Sequence, residues 1–150
     1  MNHELIQDAC HLLQGEVSPT TGIQIRISVE EARPFAVLLE QYDMPPLRRQ
    51  RLLSIYFAIK LALRRHGGCS SSDTGETLTR KVLDGDYLYS LYIQLCLKWE
   101  EIDLLSLLAP VIKQMQIKRF EGKPEDDRLL KGLELFLQLE SSRNRLSRAI

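Results

Sequence analysis

The sequence lacks an excess of charge of either sign, a long apolar run and a recognisable export signal. Lys plus Arg and Asp plus Glu number 20 each, so the formal net charge is zero. This balance gives no electrostatic attraction for nucleic acid or for an anionic membrane. Charged residues interrupt every apolar run before the roughly 18 residues that a bilayer-spanning helix needs. Glu4 and Asp8 also lie where a secretory signal would be apolar, so we expect a cytoplasmic protein without a transmembrane segment.

Cysteine is scarce as well. The three cysteines, Cys10, Cys69 and Cys96, are far apart in the sequence. None has a nearby Cys or His at the spacing of a zinc site. We expect reduced thiols, with Cys96 as a small core residue, and the pattern assigns no further role to any of them.

The hydrophobic content is high enough for a folded protein. Hydrophobic residues make up 44% of the 150 residues, which excludes a disordered chain and suits one core. We expect a single domain over residues 1–150, with a polar, basic tail at 141–150. Since a neutral chain has little charge repulsion against association, self-association in the absence of a partner stays open.

Apolar residues recur at helical spacings, and turn residues separate the segments. Ser28 and Glu31 form a capping box, and the alternating residues 23–27 suit an extended linker, because one short strand has no partner. Helices are predicted at 5–13, ending at Gly15; from Ser28 through Tyr42; at 47–65; at 82–99; at 100–122; and from Pro124 to about 139. The predicted fold class is therefore all-α, a helical bundle.

The segment 82–99 is apolar nearly all round. Its polar residues, apart from tyrosine hydroxyls, follow one narrow line through Asp86, Ser90, Gln94 and Lys98. A helix with so little polar surface must be covered on most sides. We expect it to be the central helix of the bundle or to be covered in part by another subunit.

The start of this helix carries a family resemblance. Residues Val82, Leu83, Gly85, Asp86, Tyr87, Leu88, Ser90 and Tyr92 resemble the VLxGDYLxSxxY helix of trans-polyprenyl diphosphate synthases. In the catalytic members of that family, the preceding helix ends in a His-Asp-Asp sequence and an Asp-rich box that binds magnesium. Here His66 is followed by Gly67, Gly68 and Cys69, and a second Asp-rich box would lie beyond residue 150.

A short chain with this helix and without the Asp boxes resembles heptaprenyl diphosphate synthase component I, the small subunit of heterodimeric synthases. The resemblance implies a truncated isoprenoid synthase fold and no catalysis by this chain alone. It also implies a catalytic large subunit that holds Mg²⁺, while this chain binds no cofactor or metal. The small subunit would be required for activity and would help set chain length in menaquinone side-chain biosynthesis.

Two groups of candidate site residues follow from the resemblance. The first would form a partner interface or a wall of the prenyl-chain tunnel, and comprises Tyr87, Leu88, Leu91, Tyr92 and Leu95. The second comprises Arg64 and Arg65, which lie near the expected diphosphate end and could bind phosphate, although the solvated face of the helix is the simplest explanation for them. Two other functions stay open: a helical protein-interaction adaptor unrelated to prenyl transfer, and a self-sufficient prenyltransferase with an unconventional metal site.

Overall fold

In a computed structural model, residues 2–67 and 73–149 form an all-α structure, with no strand among these residues. Gly68 and Cys69 lie outside the described residues. The elements are α1 (Asn2–Glu16), a 3₁₀ turn (Pro19–Thr21), α2 (Val29–Glu40), α3 (Pro46–Gly67), α4 (Gly75–Lys98), α5 (Ile102–Phe120) and α6 (Arg128–Ala149). The predicted all-α class is confirmed.

The first two helices are joined by an extended segment, as the sequence predicts. Gly15 does not end α1, because the helix continues through Glu16. The backbone of Ser18 is extended, as expected for a residue that precedes a proline. Residues 22–28 have no regular secondary structure. At the start of α2, the backbone N–H of Glu31 donates to Ser28 Oγ at 3.2 Å, so Ser28 is the N-cap of this helix. The Glu31 carboxylate accepts a hydrogen bond from the Ser28 hydroxyl at 3.3 Å.

The most enclosed helix is α3, and the prediction that 82–99 is the central helix is wrong. Residues 52–59 of α3 are all buried without a break, because α1, α2 and α4 pack around this helix. Except for Lys60, its charged residues lie near its two ends. In contrast, α4 buries one side and leaves Val82, Leu83 and Leu97 exposed. The number of apolar residues in a helix does not show which helix is surrounded by the others.

The last two helices pack against each other and connect to the start of α3 through one ion-pair network. Arg48 Nε and Nη2 each donate to Glu101 at 2.9 Å, and Nη1 and Nη2 donate to Glu140 at 2.8 and 2.7 Å. The Glu101 side chain is 8% exposed. These bidentate bonds hold α3, the α4–α5 turn and α6 together, and α6 continues as a helix to Ala149 through the polar segment 141–149.

Candidate site at the junction of α3 and α4

The Gly85-Asp86-Tyr87 motif is the point where α4 meets the end of α3. A Cβ atom on Gly85 would lie only 2.4 Å from His66 Cδ2, so the imidazole occupies the space that a side chain would need. Asp86 Oδ1 lies 2.8 Å from His66 Nε2. Gly85 therefore permits the close approach of the two helices, and Asp86 bonds the residue that approaches.

Tyr87 joins the same junction to the chain before α2. The backbone N–H of Ser18 donates to the Tyr87 hydroxyl at 2.8 Å. This bond gives a partner to an N–H in the irregular segment after α1, where no helix supplies one. Each of the three motif residues thus has a structural partner within the chain.

The carboxylates near the motif are paired with basic side chains. Asp84 Oδ2 lies 3.8 Å from both Arg65 Nη1 and Arg80 Nε, and Asp86 is bonded to His66. Mg²⁺ is usually bound by one or two carboxylates together with waters and substrate phosphates. Here both carboxylates contact basic side chains instead, and the described part of the chain contains no group of three His, Cys, Asp or Glu residues placed to hold a metal.

A basic cleft of about 600 Å³ lies beside this junction. Its walls come from the extended segment after α1, the last turns of α3 and the first half of α4. The charged residues that line it are Arg26, Arg64, Arg65, Arg80, Lys81 and Asp84. Its charged lining residues are therefore five cations and one carboxylate, an excess of positive charge that suits an anion with several oxygen atoms.

Ion pairs and backbone bonds position these cations. Arg64 pairs with Glu31 and donates to the Arg26 carbonyl at 3.3 Å, while Lys81 Nζ lies 2.9 Å from Asp73. Arg80 donates to the Thr21 carbonyl at 3.3 Å. The side chains are thus held at the cleft edge by groups from three different segments.

The structure brings Arg64 and Arg65, the candidates for diphosphate binding, into one cleft. Sequence reasoning missed Arg26 as a member of the same group. The available signal was the alternation of residues 23–27, in which Ile23 is buried and Arg26 is exposed, as expected for an extended segment with one inward side. Their binding of a diphosphate stays a prediction.

The five residues proposed for an interface or tunnel wall lie in one helix but differ in burial. Leu88, Leu91, Tyr92 and Leu95 are buried by the helices of this chain, whereas Tyr87 is half-buried. Among the described residues, the Tyr92 hydroxyl has no hydrogen-bond partner, and burial raises its pKa well above the ordinary range. The interface and tunnel assignments stay predictions.

Cys96 lies on the same buried side of α4. Burial, with a smaller effect from the Glu101 charge, raises the pKa of its thiol to about 12, so the thiol stays protonated near neutral pH. A protonated, enclosed thiol is a poor nucleophile. Its position agrees with the expected role as a small core residue.

Across residues 2–67 and 73–149, none of the helices has both the length and the apolar character required to cross a bilayer. Comparisons of the chain with protein-family models, with curated proteins and with solved structures find no match.

Proposed function

We propose that this chain is the non-catalytic small subunit of a heteromeric trans-polyprenyl diphosphate synthase. The observation that carries the proposal is the use of the Gly85-Asp86-Tyr87 motif as a joint between α3 and α4. The motif keeps the family pattern, yet all three residues serve packing or hydrogen bonding within the chain. A scaffold that retains the helix without its metal-binding carboxylates suits a subunit that supports a catalytic partner.

In this proposal the partner supplies the Asp-rich boxes and Mg²⁺. Asp84 and Asp86 of this chain remain paired with Arg65, Arg80 and His66. The basic cleft adds positive charge at the end of α3, where it favours an anionic substrate group near the subunit boundary. The chain contributes to menaquinone side-chain synthesis by supporting the partner and by limiting product length.

The test is a prenyl-transfer assay with allylic and isopentenyl diphosphates. The chain is co-expressed with the long-chain synthase subunit of the same organism, and each subunit is assayed alone and then mixed. We expect co-purification, no turnover by this chain alone and a rise in activity on mixing. Failure of the two chains to co-purify, together with no change in activity, would refute the proposal and favour an unrelated helical adaptor.

Product length gives a second measurement on the same complex. Tyr87 is the residue of the proposed interface group that the chain leaves half-exposed, so it is the one best placed to meet a growing prenyl chain. Tyr87→Ala removes side-chain volume and should lengthen the product, while Tyr87→Phe keeps the ring as a matched control. Equal product lengths for both variants would exclude Tyr87 from the tunnel wall.

A further inference from the structure

The outer face of α6 carries a row of exposed leucines. Leu135, Leu139 and Leu146 are 47%, 49% and 67% exposed, and Ser142 lies in line with them. Their spacing of four, three and four residues is that of the a and d positions of a heptad repeat. The opposite face of α6 is buried through Leu129, Leu133, Phe136 and Leu137. The helix thus has one face in the core and a second, narrow apolar seam in solvent.

The charged residues at the flanking heptad positions of α6 have one sign. With Leu139 and Leu146 at a positions, the flanking e and g positions include Lys131, Arg143 and Arg145. In paired helices, these positions face the flanking residues of the partner and decide which partner is accepted. Every charged side chain at a flanking position along residues 131–146 is therefore basic.

A groove between α5 and α6 adjoins the seam. It has a volume of about 530 Å³ and is lined by Leu107, Phe136 and Leu139, together with Ser106 of α5 and the pair Asp103 and Arg143. Arg143 Nη1 lies 3.5 Å from Asp103. The apolar surface therefore continues from the seam on α6 into the groove between α5 and α6. A groove between two helices is a common docking place for a third, amphipathic helix.

The geometry points to a docking site for an amphipathic helix with acidic flanks, bound along the Leu135, Leu139 and Leu146 seam of α6 and the adjoining groove. This inference deepens the proposed function, because it assigns the surface that meets the catalytic subunit. It rests on the proposed function for the identity of that partner. A second copy of α6 would set basic flanks against basic flanks. A membrane would need a broader apolar face than one row of leucines interrupted by Ser142.

The test uses two synthetic helices and the full chain. Both peptides have about three heptads with Leu at a and d; one has Glu at the e and g positions, and the other has Lys there. Binding is followed by fluorescence anisotropy. We expect the Glu peptide to bind about tenfold or more tightly than the Lys peptide, because opposite charges then face each other across the seam.

Variants locate the binding. Leu139→Asp should weaken the Glu peptide by about tenfold or more, since it places a charge in the seam. Leu83→Asp, at an exposed leucine of α4, is the matched control and should leave binding unchanged. Arg145→Glu should weaken binding of the Glu peptide and strengthen binding of the Lys peptide. Circular dichroism melts check that each variant is folded.

The inference is overturned by equal binding of the two peptides or by binding that Leu139→Asp does not weaken. It is also overturned if Leu139→Asp abolishes self-association in sedimentation or binding to anionic phosphatidylserine vesicles, since the seam would then serve a second copy or a membrane. If the peptides behave as expected but mixing the subunits restores no prenyl transfer, the docking site stands and the proposed function fails.

Discussion

Replacing Gly85 with Ala tests whether the close approach of α3 and α4 depends on the missing side chain. The new Cβ would lie 2.4 Å from His66 Cδ2 and 2.6 Å from Nε2, whereas carbon atoms normally pack about 3.5–4.0 Å apart. The imidazole would have to move away from Asp86, to which it is bonded at 2.8 Å. The substitution therefore has two opposing effects on stability: the steric clash lowers it, and the better helix propensity of alanine raises it.

The two effects differ in size. Ala is favoured over Gly in a helix by about 1 kcal/mol. Overpacking costs about 1–3 kcal/mol, and loss of the hydrogen bond between His66 and Asp86 costs up to about 1 kcal/mol more. We expect Gly85→Ala to lower the free energy of unfolding by about 1–2 kcal/mol. In a His66→Ala background the clash is gone, so Gly85→Ala should raise the free energy of unfolding by about 1 kcal/mol.

Urea unfolding of the four proteins of this cycle, followed by far-ultraviolet circular dichroism, gives the coupling between the two positions. Gly132→Ala is the matched control, because a Cβ there would lie at ordinary contact, 3.5 Å from Leu108 and Val111, and should stabilise the chain. If Gly85→Ala stabilises the protein equally in both backgrounds, the steric explanation of the motif is wrong.

Three further predictions concern buried polar groups. Tyr92→Phe should leave the free energy of unfolding unchanged or raise it by about 1 kcal/mol, because among the described residues its hydroxyl has no hydrogen-bond partner. Tyr87→Phe should lower it by about 1 kcal/mol, because the Tyr87 hydroxyl accepts from Ser18. Arg48→Met should cost about 2–4 kcal/mol in urea unfolding, since it leaves the nearly buried Glu101 carboxylate without its cation. The free energy of unfolding should also fall as the pH rises from 9.0, the ordinary pKa of a thiol, to about 12, the pKa of Cys96 in the folded chain. Over this range the unfolded chain has lost the Cys96 proton and the folded chain still holds it, so the slope can reach about 1.4 kcal/mol per pH unit. Cys96→Ala should make this slope smaller.

Each of these has a result that contradicts it. Equal losses for the two tyrosine variants would mean that both hydroxyls are bonded. A loss for Arg48→Met no larger than that for Arg143→Met, whose ion pair with Asp103 is well exposed, would show that burial adds nothing to the network. Identical pH slopes with and without Cys96 would assign the alkaline destabilisation to other groups, such as Tyr56, whose pKa burial also raises.

Local features of this fold could be predicted from the sequence. The Ser28–Glu31 cap needs only four neighbouring residues, and the extended segment needs only the alternation of residues 23–27. The ends of α3 also follow from nearby turn residues, with Pro46 at its start and Gly67 at its end. Such signals depend on backbone preferences within a turn or two, so they do not require knowledge of the packing.

The arrangement in space could not be predicted in the same way. Tyr87 and Ser18 are 69 residues apart, and Arg64 and Arg26 are 38 apart; nothing in either local sequence identifies the other member of the pair. The enclosed position of α3 depends on the order in which helices surround it, which apolar periodicity does not encode. Residues of the basic cleft come together only after these helices pack.

The enclosure of α3 has a consequence for dividing this protein into parts. Its cover comes from α1 and α2, which precede it in the chain, and from α4, which follows it. Ser54, in the middle of α3, donates to the Ala9 carbonyl at 2.9 Å, so a buried hydroxyl of α3 has a partner in the first helix. A fragment that begins at α3, or one that stops after it, would expose the apolar residues 52–59. The first four helices therefore form one packing unit, and a truncation that removes α1, α2 or α4 should leave the rest of that unit unable to fold stably.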